Sequence, residues 1–476
     1  MDSTSMSRRR FLRLAFLGVA GIGLAACGAT PTATPLPKPP ATPTAAAPAA
    51  PTATKPPAPT NTPLPAPTPT TAPAVKKPVT ITWWTESTEE WDEKSQRAML
   101  DAFHAAQKDV KVEVTFLPDS GYTEKMTTAL GANSGAPDVG FFWNSAWVPS
   151  ALPLDDLIAK DKFDISIYYK NFFDTHARWK NMIVGLPLGV GANFVMYNPK
   201  IFDEAKVPYP DVNLTTDQIL DYAKKLTDTT KKRWGADRPR GPYRAIWFNF
   251  GARPWSPDGK KVDGYLNSPE SVAAYQWLWD LVATNGTPTQ ADLDVLSKEG
   301  TGPVDLFLGG RLATATLNQG HMLNAIKANA PFNIVREPGL PGKERWANQW
   351  SNLAGIWKGT KEPEAAWTFL KYWVGPEGQK FLMDNANLFP SIKSVMQQYK
   401  NANLAPVQAF MKILEDRNVR EVTYAFPVPV STVLKAVQDL WDSIGLLKIK
   451  REDIKAALDA AVPVAQKNLD EAWAKV

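Results

Sequence analysis

Hydrophobic and polar residues change period along the chain after residue 78, and these changes predict alternating strands and helices. Residues 79–85 (VTITWWT) form a β-branched and aromatic run, residues 111–117 alternate apolar with polar side chains, and residues 138–143 form a third apolar run. Helical spacing of apolar residues separates these runs, over about 91–106 and 122–132. This order predicts an α/β fold with a mostly parallel sheet and helices on both of its faces.

Local signals refine three of the elements. The spacing in the first helix predicts a buried stripe made of Trp91, Ala98, Ala102, Phe103 and Ala106. Thr215 and Gln218 have the spacing of a capping box, which predicts a helix over 215–227. Asp258-Gly259 lies between apolar residues and predicts a hairpin turn. The C-terminal part of the chain is predicted to be rich in helices.

Residues 1–27 have the three parts of an export signal: a basic start, a short apolar run over 14–24, and small residues before Cys27. The apolar run is shorter than the roughly 20 residues that a membrane-spanning helix needs. Arg8 and Arg9 within S-R-R-R-F-L resemble the twin-arginine export motif. L-A-A-C resembles a lipobox, which predicts a lipidated Cys27 and attachment to the outer face of the cytoplasmic membrane, at the cell surface or in the periplasm.

Residues 28–78 are almost wholly Pro, Thr and Ala and contain 17 of the 42 prolines of the chain. Such a composition cannot bury enough apolar surface to form a packed core. The segment is therefore predicted to be a disordered stalk, extended by its prolines, that keeps the folded part near the membrane.

Composition and charge exclude several classes of function. The 476 residues suffice for two globular units of about 150 to 200 residues each after the stalk. A net charge of only +5 argues against nucleic-acid binding. One cysteine excludes a disulfide framework, and three histidines without two-ligand spacing argue against a metal site, so we expect neither metal nor cofactor. The excess of 18 Trp suits a protein that covers the apolar faces of a polar ligand.

Four stretches resemble the extracellular solute-binding proteins of ABC importers, in the group of the maltose-binding and other sugar-binding proteins: residues 137–157, 185–202, 305–319 and 355–395. The second stretch, with Tyr197-Asn198, is similar to the strand that crosses the family's hinge. The resemblance implies the type II periplasmic-binding-protein fold, with two α/β lobes joined by a hinge. The first lobe would be 79–188 with 345–390, and the second 189–344 with 391–476. It also implies a non-enzymatic, monomeric protein whose partners are a small polar ligand, most simply a sugar, and the permease subunits of an importer.

Candidate ligand contacts follow the predicted strands, because ligands of open α/β sheets lie beyond the carboxyl ends of the strands. Amides and aromatic rings dominate this set, which suits a neutral, polyhydroxylated ligand. Since Trp83 and Trp84 point to opposite faces of one strand, one of them is expected in the core. Part of the set comes from the resemblance, and Trp247, Asn249 and Trp255 have packing as their alternative. The candidates are Trp84, Glu86, Trp143, Asn144, Trp147, Asn193, Trp247, Asn249, Trp255, Asn318, Gln319, Trp350 and Asn352.

One departure from the family keeps the ligand open. Maltose-type relatives have a sugar-stacking tryptophan shortly after the position of Asn318, where this chain has Gly320 and His321. A non-sugar solute, such as a glycerol phosphate or a peptide, is therefore an alternative, as are a secreted glycoside hydrolase and an adhesion module. Gly189 and Gly191 lack the context of a dinucleotide-binding motif and are interpreted as backbone flexibility near the hinge.

Overall fold

The structure is a computed structural model that describes residues 77–87, 92–144, 146–239, 245–415, 428 and 431–474. The predicted signal, Cys27 and residues 28–76 of the predicted stalk lie outside these ranges. Among the described residues, no helix combines the length and apolar character that a membrane crossing requires.

Strands and helices alternate through the described residues. The strands are β1 (Val79–Glu86), β2 (Val110–Leu117), β3 (Val139–Phe141), β4 (Arg178–Trp179), β5 (Met182–Ile183), β6 (Leu186–Tyr197), β7 (Trp234–Ala236), β8 (Leu312–Asn318), β9 (Asn333–Val335) and β10 (Gln349–Ile356). The helices are α1 (Glu93–Ala106), α2 (Asp119–Gly131), α3 (Asp155–Asp161), α4 (Lys170–His176), α5 (Pro199–Ala205), α6 (Thr216–Lys225), α7 (Ala245–Asn249), α8 (Pro269–Ala283), α9 (Gln290–Lys298), α10 (Pro303–Leu308), α11 (Gln319–Lys327), α12 (Pro363–Val374), α13 (Pro376–Asn385), α14 (Lys393–Met396), α15 (Ala405–Leu414), α16 (Ser431–Leu434), α17 (Gln438–Gly445) and α18 (Ile454–Trp473).

One hydrogen-bonded sheet of eight strands runs in the order β2-β1-β3-β10-β6-β8-β7, with β9 also pairing with β6. The pairs β1–β2, β1–β3 and β7–β8 are parallel, as the strand–helix alternation predicts. The central pairs, from β3 through β10 and β6 to β8, are antiparallel. The α/β fold class is confirmed, and the antiparallel centre consists of the strands that connect the two ends of the sheet.

The 12-residue strand β6 belongs to both ends of the sheet. Its first part pairs with β10, up to Ala192 opposite Gln349, and its second part pairs with β8, starting with Asn193 opposite Asn318. The backbone N–H of Asn193 donates to the carbonyl of Asn348, at 2.8 Å, just before β10. The chain therefore crosses between the two ends of the sheet at residues 192–193, within the segment that the sequence identifies as hinge-crossing.

Alternate residues of β6 face different hydrophobic clusters. Phe194 and Met196 belong to the cluster that also contains the β1 and α12 aromatics, whereas Val195 and Tyr197 belong to a second cluster with α8 and α17. In the first cluster, Trp83 is fully buried, with its ring 4.9 Å from that of Trp373. The prediction that one member of the Trp83–Trp84 pair is core is confirmed, because Trp84 is only half-buried.

Two local predictions need correction. The buried face of α1 consists of Ser95, Gln96, Met99, Leu100 and Phe103. Of the predicted stripe, Phe103 is buried, Ala102 is half-buried, Ala98 and Ala106 are exposed, and Trp91 lies outside the described residues. The larger Met, Leu and Phe side chains bury more apolar area than alanines do, so they decide which face turns inward.

The capping box of Thr215 and Gln218 forms as predicted.

The turn at Asp258-Gly259 forms, but no strands flank it. The N–H of Ser256 donates to the carbonyl of Lys261, at 2.7 Å, and Gly259 has φ of 72°. Instead of a sheet, α18 holds this turn: the Trp473 indole N–H donates to the carbonyl of Gly259 and the Gln466 amide donates to the carbonyl of Lys260. The turn of the predicted hairpin is therefore present, but its two strands are not, and the turn packs on α18 instead.

Candidate functional site

A cavity of about 130 Å³ lies beside the second part of β6. Its walls come from β6, β8, the start of α11, the residues that follow β7 and β9, and apolar residues of α6 and α8. The polar residues of its lining are Asn193, Asp237, Thr314, Thr316, Asn318, His321 and Glu337.

Strand register explains why these side chains meet. Asn193 pairs with Asn318, and Val195 pairs with Thr316, so these residues share one face of the sheet while Phe194 between them faces the core. The cavity lies on that shared face. Asn318 ends β8 and caps α11, with its side-chain oxygen accepting the N–H of His321 at 3.2 Å. Ligand sites of α/β sheets are expected at such strand ends.

Two buried acids belong to this site and were missed from the sequence. Asp237 is 9% exposed and accepts the N–H of Thr316 at 3.0 Å; Glu337 is 4% exposed and accepts the N–H of Asn348 at 3.1 Å. Each acid follows a three-residue strand, β7 or β9. The strand-end rule that selects the other candidates would have selected these two, but such short strands leave no readable period in the sequence.

Trp350 lies on the same face as the cavity. It pairs with Gly191, two residues before Asn193 on β6, so the three residues face the same side of the sheet. A Cβ atom added to Gly191 would lie 2.3 Å from Cε2 of the Trp350 indole, so the ring covers the backbone at this point. Asn352, also half-buried, follows two residues later, where β10 shifts its register against β6.

Gln319 fixes the end of β8 to the crossing strand. Its side chain is 5% exposed, and its Oε1 accepts the N–H of Ala192 at 3.2 Å. Gln319 does not line the cavity, although its neighbour Asn318 does. The structure thus gives this candidate a positioning contact at the crossing point.

The candidates between residues 84 and 147 lie at or after the ends of β1 and β3. Trp143 and Trp147 have ring centroids 4.9 Å apart, and the Lys125 ammonium lies 4.6 Å from the ring centroid of Trp84. Trp147 is 2% exposed and donates from its indole to the Thr127 hydroxyl, at 3.1 Å. Trp84, Glu86, Trp143 and Asn144 are half-buried. This group is separate from the lining of the cavity.

The remaining aromatic candidates pack inside the second hydrophobic cluster. Trp247 is fully buried, with ring centroids 5.5 Å from Tyr275 and 5.6 Å from Trp441, and Trp255 is 4% exposed in the same cluster. These contacts support the packing alternative for both indoles. Ligand contact by Trp247 or Trp255 stays a prediction without support from the geometry.

Asn249 holds the segment that follows Glu337. Its Nδ2 donates to the carbonyls of Pro338 and Trp346, at 3.0 and 3.1 Å, and its Oδ1 accepts the N–H of Trp346 at 2.6 Å. The side chain is 1% exposed. Asn249 therefore positions a wall of the cavity from behind, because Glu337 and Pro338 line it.

We expect Asn249→Ala to lower the free energy of unfolding by about 2–3 kcal/mol, because three backbone groups, one buried and two partly buried, lose their bonds to Asn249. Urea unfolding followed by circular dichroism measures this change. Asn385→Ala is the matched control, since Asn385 is exposed and donates one local bond, to the carbonyl of Phe381. Equal losses for the two variants would contradict the assigned role.

In the described part of the chain, no group of three or more His, Cys, Asp or Glu is placed to hold a metal ion. Burial raises the pKa of Tyr122, whose hydroxyl accepts the N–H of Phe141 at 2.6 Å near Trp147. Its phenol therefore stays protonated and serves as a fixed hydrogen-bonding group.

Comparisons with known proteins agree on one family. The model of the bacterial extracellular solute-binding proteins matches residues 85–380, which is more than half of the 476 residues. An arabinooligosaccharide-binding protein of Halalkalibacterium halodurans is 25% identical over 181 residues, which cover 36% of this chain and 39% of the relative. The chain therefore matches well under two thirds of that relative's length.

Solved structures show the same fold. An ABC substrate-binding protein of Listeria monocytogenes in complex with cycloalternan has a TM-score of 0.66 and 22% identity, covering 83% of this chain and 98% of its own. The sugar-binding protein MalE of Xanthomonas citri has a TM-score of 0.69 and 16% identity, again covering 83% and 98%. The likeness confirms the two-lobed binding-protein fold.

Proposed function

This chain belongs to the bacterial extracellular solute-binding proteins, and from that premise we propose that it captures a neutral, polyhydroxylated solute, a sugar or an oligosaccharide, for an ABC importer. Family and fold are those of proteins that bind a solute without changing it. The observation that carries the choice of solute is the polar lining of the cavity on the face of β6.

The cavity lining contains the hydrogen-bond donors and acceptors that bind hydroxyl groups. Asn193 and Asn318 provide amide groups on paired strands, and Asp237 and Glu337 add carboxylate acceptors to the same lining. A ligand whose hydroxyls match these donors and acceptors in number and direction is favoured, because hydrogen bonds in a buried site discriminate by geometry. Trp350, on the same face, offers an aromatic surface for the C–H side of a sugar ring.

The names of similar proteins support a carbohydrate. The matched relative is an arabinooligosaccharide-binding protein, and the Listeria monocytogenes structure holds cycloalternan. A glycerol phosphate or a peptide stays the alternative among solutes. The hydrolase alternative has no support from the family, and an adhesion role has none from the cavity.

The proposed mechanism is closure of two lobes about the crossing strands. β6 passes from one group of strands to the other at residues 192–193, beside the start of β10. In this proposal the cavity lining contacts the ligand from one lobe, and Trp84, Glu86, Trp143 and Asn144 contact it from the other. Trp147 is buried and supports Trp143, with ring centroids 4.9 Å apart. A ligand that touches both lobes stabilises the closed form. The lobe boundaries, 79–188 with 345–390 and 189–344 with 391–476, belong to the same proposal.

The N-terminal signals complete the proposal. Export through the twin-arginine motif, lipidation at Cys27 and a stalk over 28–78 would keep the monomeric binding domain next to the permease subunits on the outer face of the cytoplasmic membrane. Mass spectrometry of the protein from its native membrane tests the anchor, because lipidation makes Cys27 the modified first residue.

A calorimetric titration of the purified protein tests the function. The probes are maltose, mannotriose, tagatose and an arabinan-derived oligosaccharide, with glycerol 3-phosphate and a tripeptide as the non-sugar arms. We expect binding of at least one saccharide at one site per chain, and chromatography should recover that saccharide intact. Binding confined to glycerol 3-phosphate or the peptide would contradict the carbohydrate assignment, and cleavage of a saccharide would contradict a pure binding role.

A further inference from the structure

Gly189 and Gly191 on the crossing strand are close-contact positions. Neither has a positive φ, so the backbone there is open to any residue. A Cβ atom at Gly189 would lie 2.4 Å from Cδ1 of Leu388, and one at Gly191 would lie 2.3, 2.5 and 2.6 Å from Cε2, Nε1 and Cζ2 of Trp350. The flexibility expected of these glycines stays a prediction, and the geometry adds close packing. At Gly191 the neighbouring atoms belong to a rigid ring that a methyl group would displace, whereas at Gly189 the nearest atom is the flexible end of Leu388.

The Trp350 indole lies outside both hydrophobic clusters. It is half-buried, and in the described part of the chain it is not among the side chains that pack against either hydrophobic cluster. An indole is a large apolar group that a fold normally buries in its core. Here it lies instead on Gly191, on the strand that joins the two ends of the sheet and on the face that carries Asn193.

We propose that Gly191 is a positioning residue for ligand binding: its missing side chain lets the Trp350 indole lie on the crossing strand, where the free side of the ring meets the ligand. The inference rests on the proposed function. A methyl group at 191 would push the indole off the strand, because the contact involves the middle of the ring and not a flexible end. The effect of residue 191 on affinity therefore acts through Trp350 alone.

The test begins without ligand. The full chain is labelled with 5-fluorotryptophan, and the ¹⁹F resonance of Trp350 is assigned as the one missing in Trp350→Ala. Gly191→Ala should shift that resonance. Gly131→Ala is the control, since a Cβ atom there has no neighbour within 4 Å. An unchanged Trp350 resonance in Gly191→Ala would overturn the proposal.

The second step is a double-mutant cycle with the six probes named above. Gly191→Ala should weaken saccharide binding about tenfold in the otherwise unchanged protein, and by less than about twofold when Trp350 is already alanine. If Gly191→Ala alone fails to fold, the Gly191→Ala/Trp350→Ala protein should fold, because the clash is gone. An equal loss of saccharide affinity in both backgrounds would show that Gly191 is needed for the strand itself and not for the position of Trp350. That result would overturn the proposal.

The two steps separate this inference from the proposed function. A shifted Trp350 resonance with no saccharide bound by the unchanged protein would contradict the function and leave the positioning of Trp350 intact. Saccharide binding with no coupling between residues 191 and 350 would contradict the positioning and leave the function intact.

Discussion

Replacement of Gln379 by leucine is expected to lower the free energy of unfolding by about 4 kcal/mol. The Gln379 side chain is fully buried, and its Nε2 donates to the carbonyls of Val374 and Pro187 and to the Ser391 hydroxyl, at 2.7, 3.1 and 2.8 Å. Its Oε1 accepts the N–H groups of Ser391 and Ile392, at 2.8 and 3.3 Å. Leucine fills the space but removes the acceptor of the Ser391 and Ile392 N–H groups, at about 1–3 kcal/mol for each group that stays buried. The carbonyls of Val374 and Pro187 keep the hydroxyls of Tyr168 and Ser391 as donors.

Chemical unfolding in urea measures the loss, and Gln398→Leu is the matched control. Gln398 is exposed and makes one local bond, to the carbonyl of Ser394. We expect this control to change the free energy of unfolding by less than about 0.5 kcal/mol. A loss under about 1 kcal/mol for Gln379→Leu would contradict the role of Gln379 as the residue that ties the first part of β6 to residues 391–392.

The second large effect on stability is expected at Trp247. The sequence places Trp247 and Trp350 in one set of candidate ligand contacts, but the structure gives them different surroundings. We expect Trp247→Ala to lower the free energy of unfolding by about 3–5 kcal/mol, because Trp247 is fully buried against Tyr275 and Trp441. Trp350→Ala is the comparison variant and should cost less than about 1 kcal/mol, since its indole packs on Gly191 outside both clusters.

Both variants are measured by thermal and urea unfolding, with saccharide binding as a second readout. Trp350→Ala should lose affinity while it keeps its stability, and Trp247→Ala should lose stability. The reverse pattern, a stable Trp247→Ala and an unstable Trp350→Ala, would contradict the assignment of Trp247 to the core and of Trp350 to the site.

Predictions from the sequence agree with the structure where a local pattern, such as the two-residue period of a strand, determines which side chains are buried. Strand alternation separates buried Trp83 from half-buried Trp84, and the period of residues 111–117 matches β2. The strand-end rule leads to Asn318, and the resemblance of residues 185–202 to a hinge-crossing strand leads to Asn193. The structure pairs these two residues at one cavity. Each residue is chosen from its own segment of the chain, and only the structure shows that the two segments meet.

Contacts between residues that are distant in the chain cannot be predicted from the sequence. The partners of Asn249 are the carbonyls of Pro338 and Trp346, about ninety residues away. Trp247 shows no period that would reveal its packing against Trp441. The sequence likewise does not show that the Trp350 indole covers Gly191.

Adjacent residues of β6 point to opposite faces of the sheet. Asn193 faces the cavity, while its neighbours Ala192 and Phe194 face the first hydrophobic cluster. A register slip of one residue would exchange these faces and remove both the site and part of the core. Register is therefore strongly fixed here, and the bonds from Ala192 to Gln319 and from Asn193 to Asn348 hold it at the crossing point.

Small-angle X-ray scattering with and without a bound saccharide tests most directly the claim that two lobes close on an unaltered ligand. The saccharide is the one that calorimetry identifies, and it is added at saturation. We predict a smaller radius of gyration for the complex than for the free protein, reversed when the saccharide is dialysed away. An identical scattering profile with the saccharide demonstrably bound would contradict closure about the crossing strands.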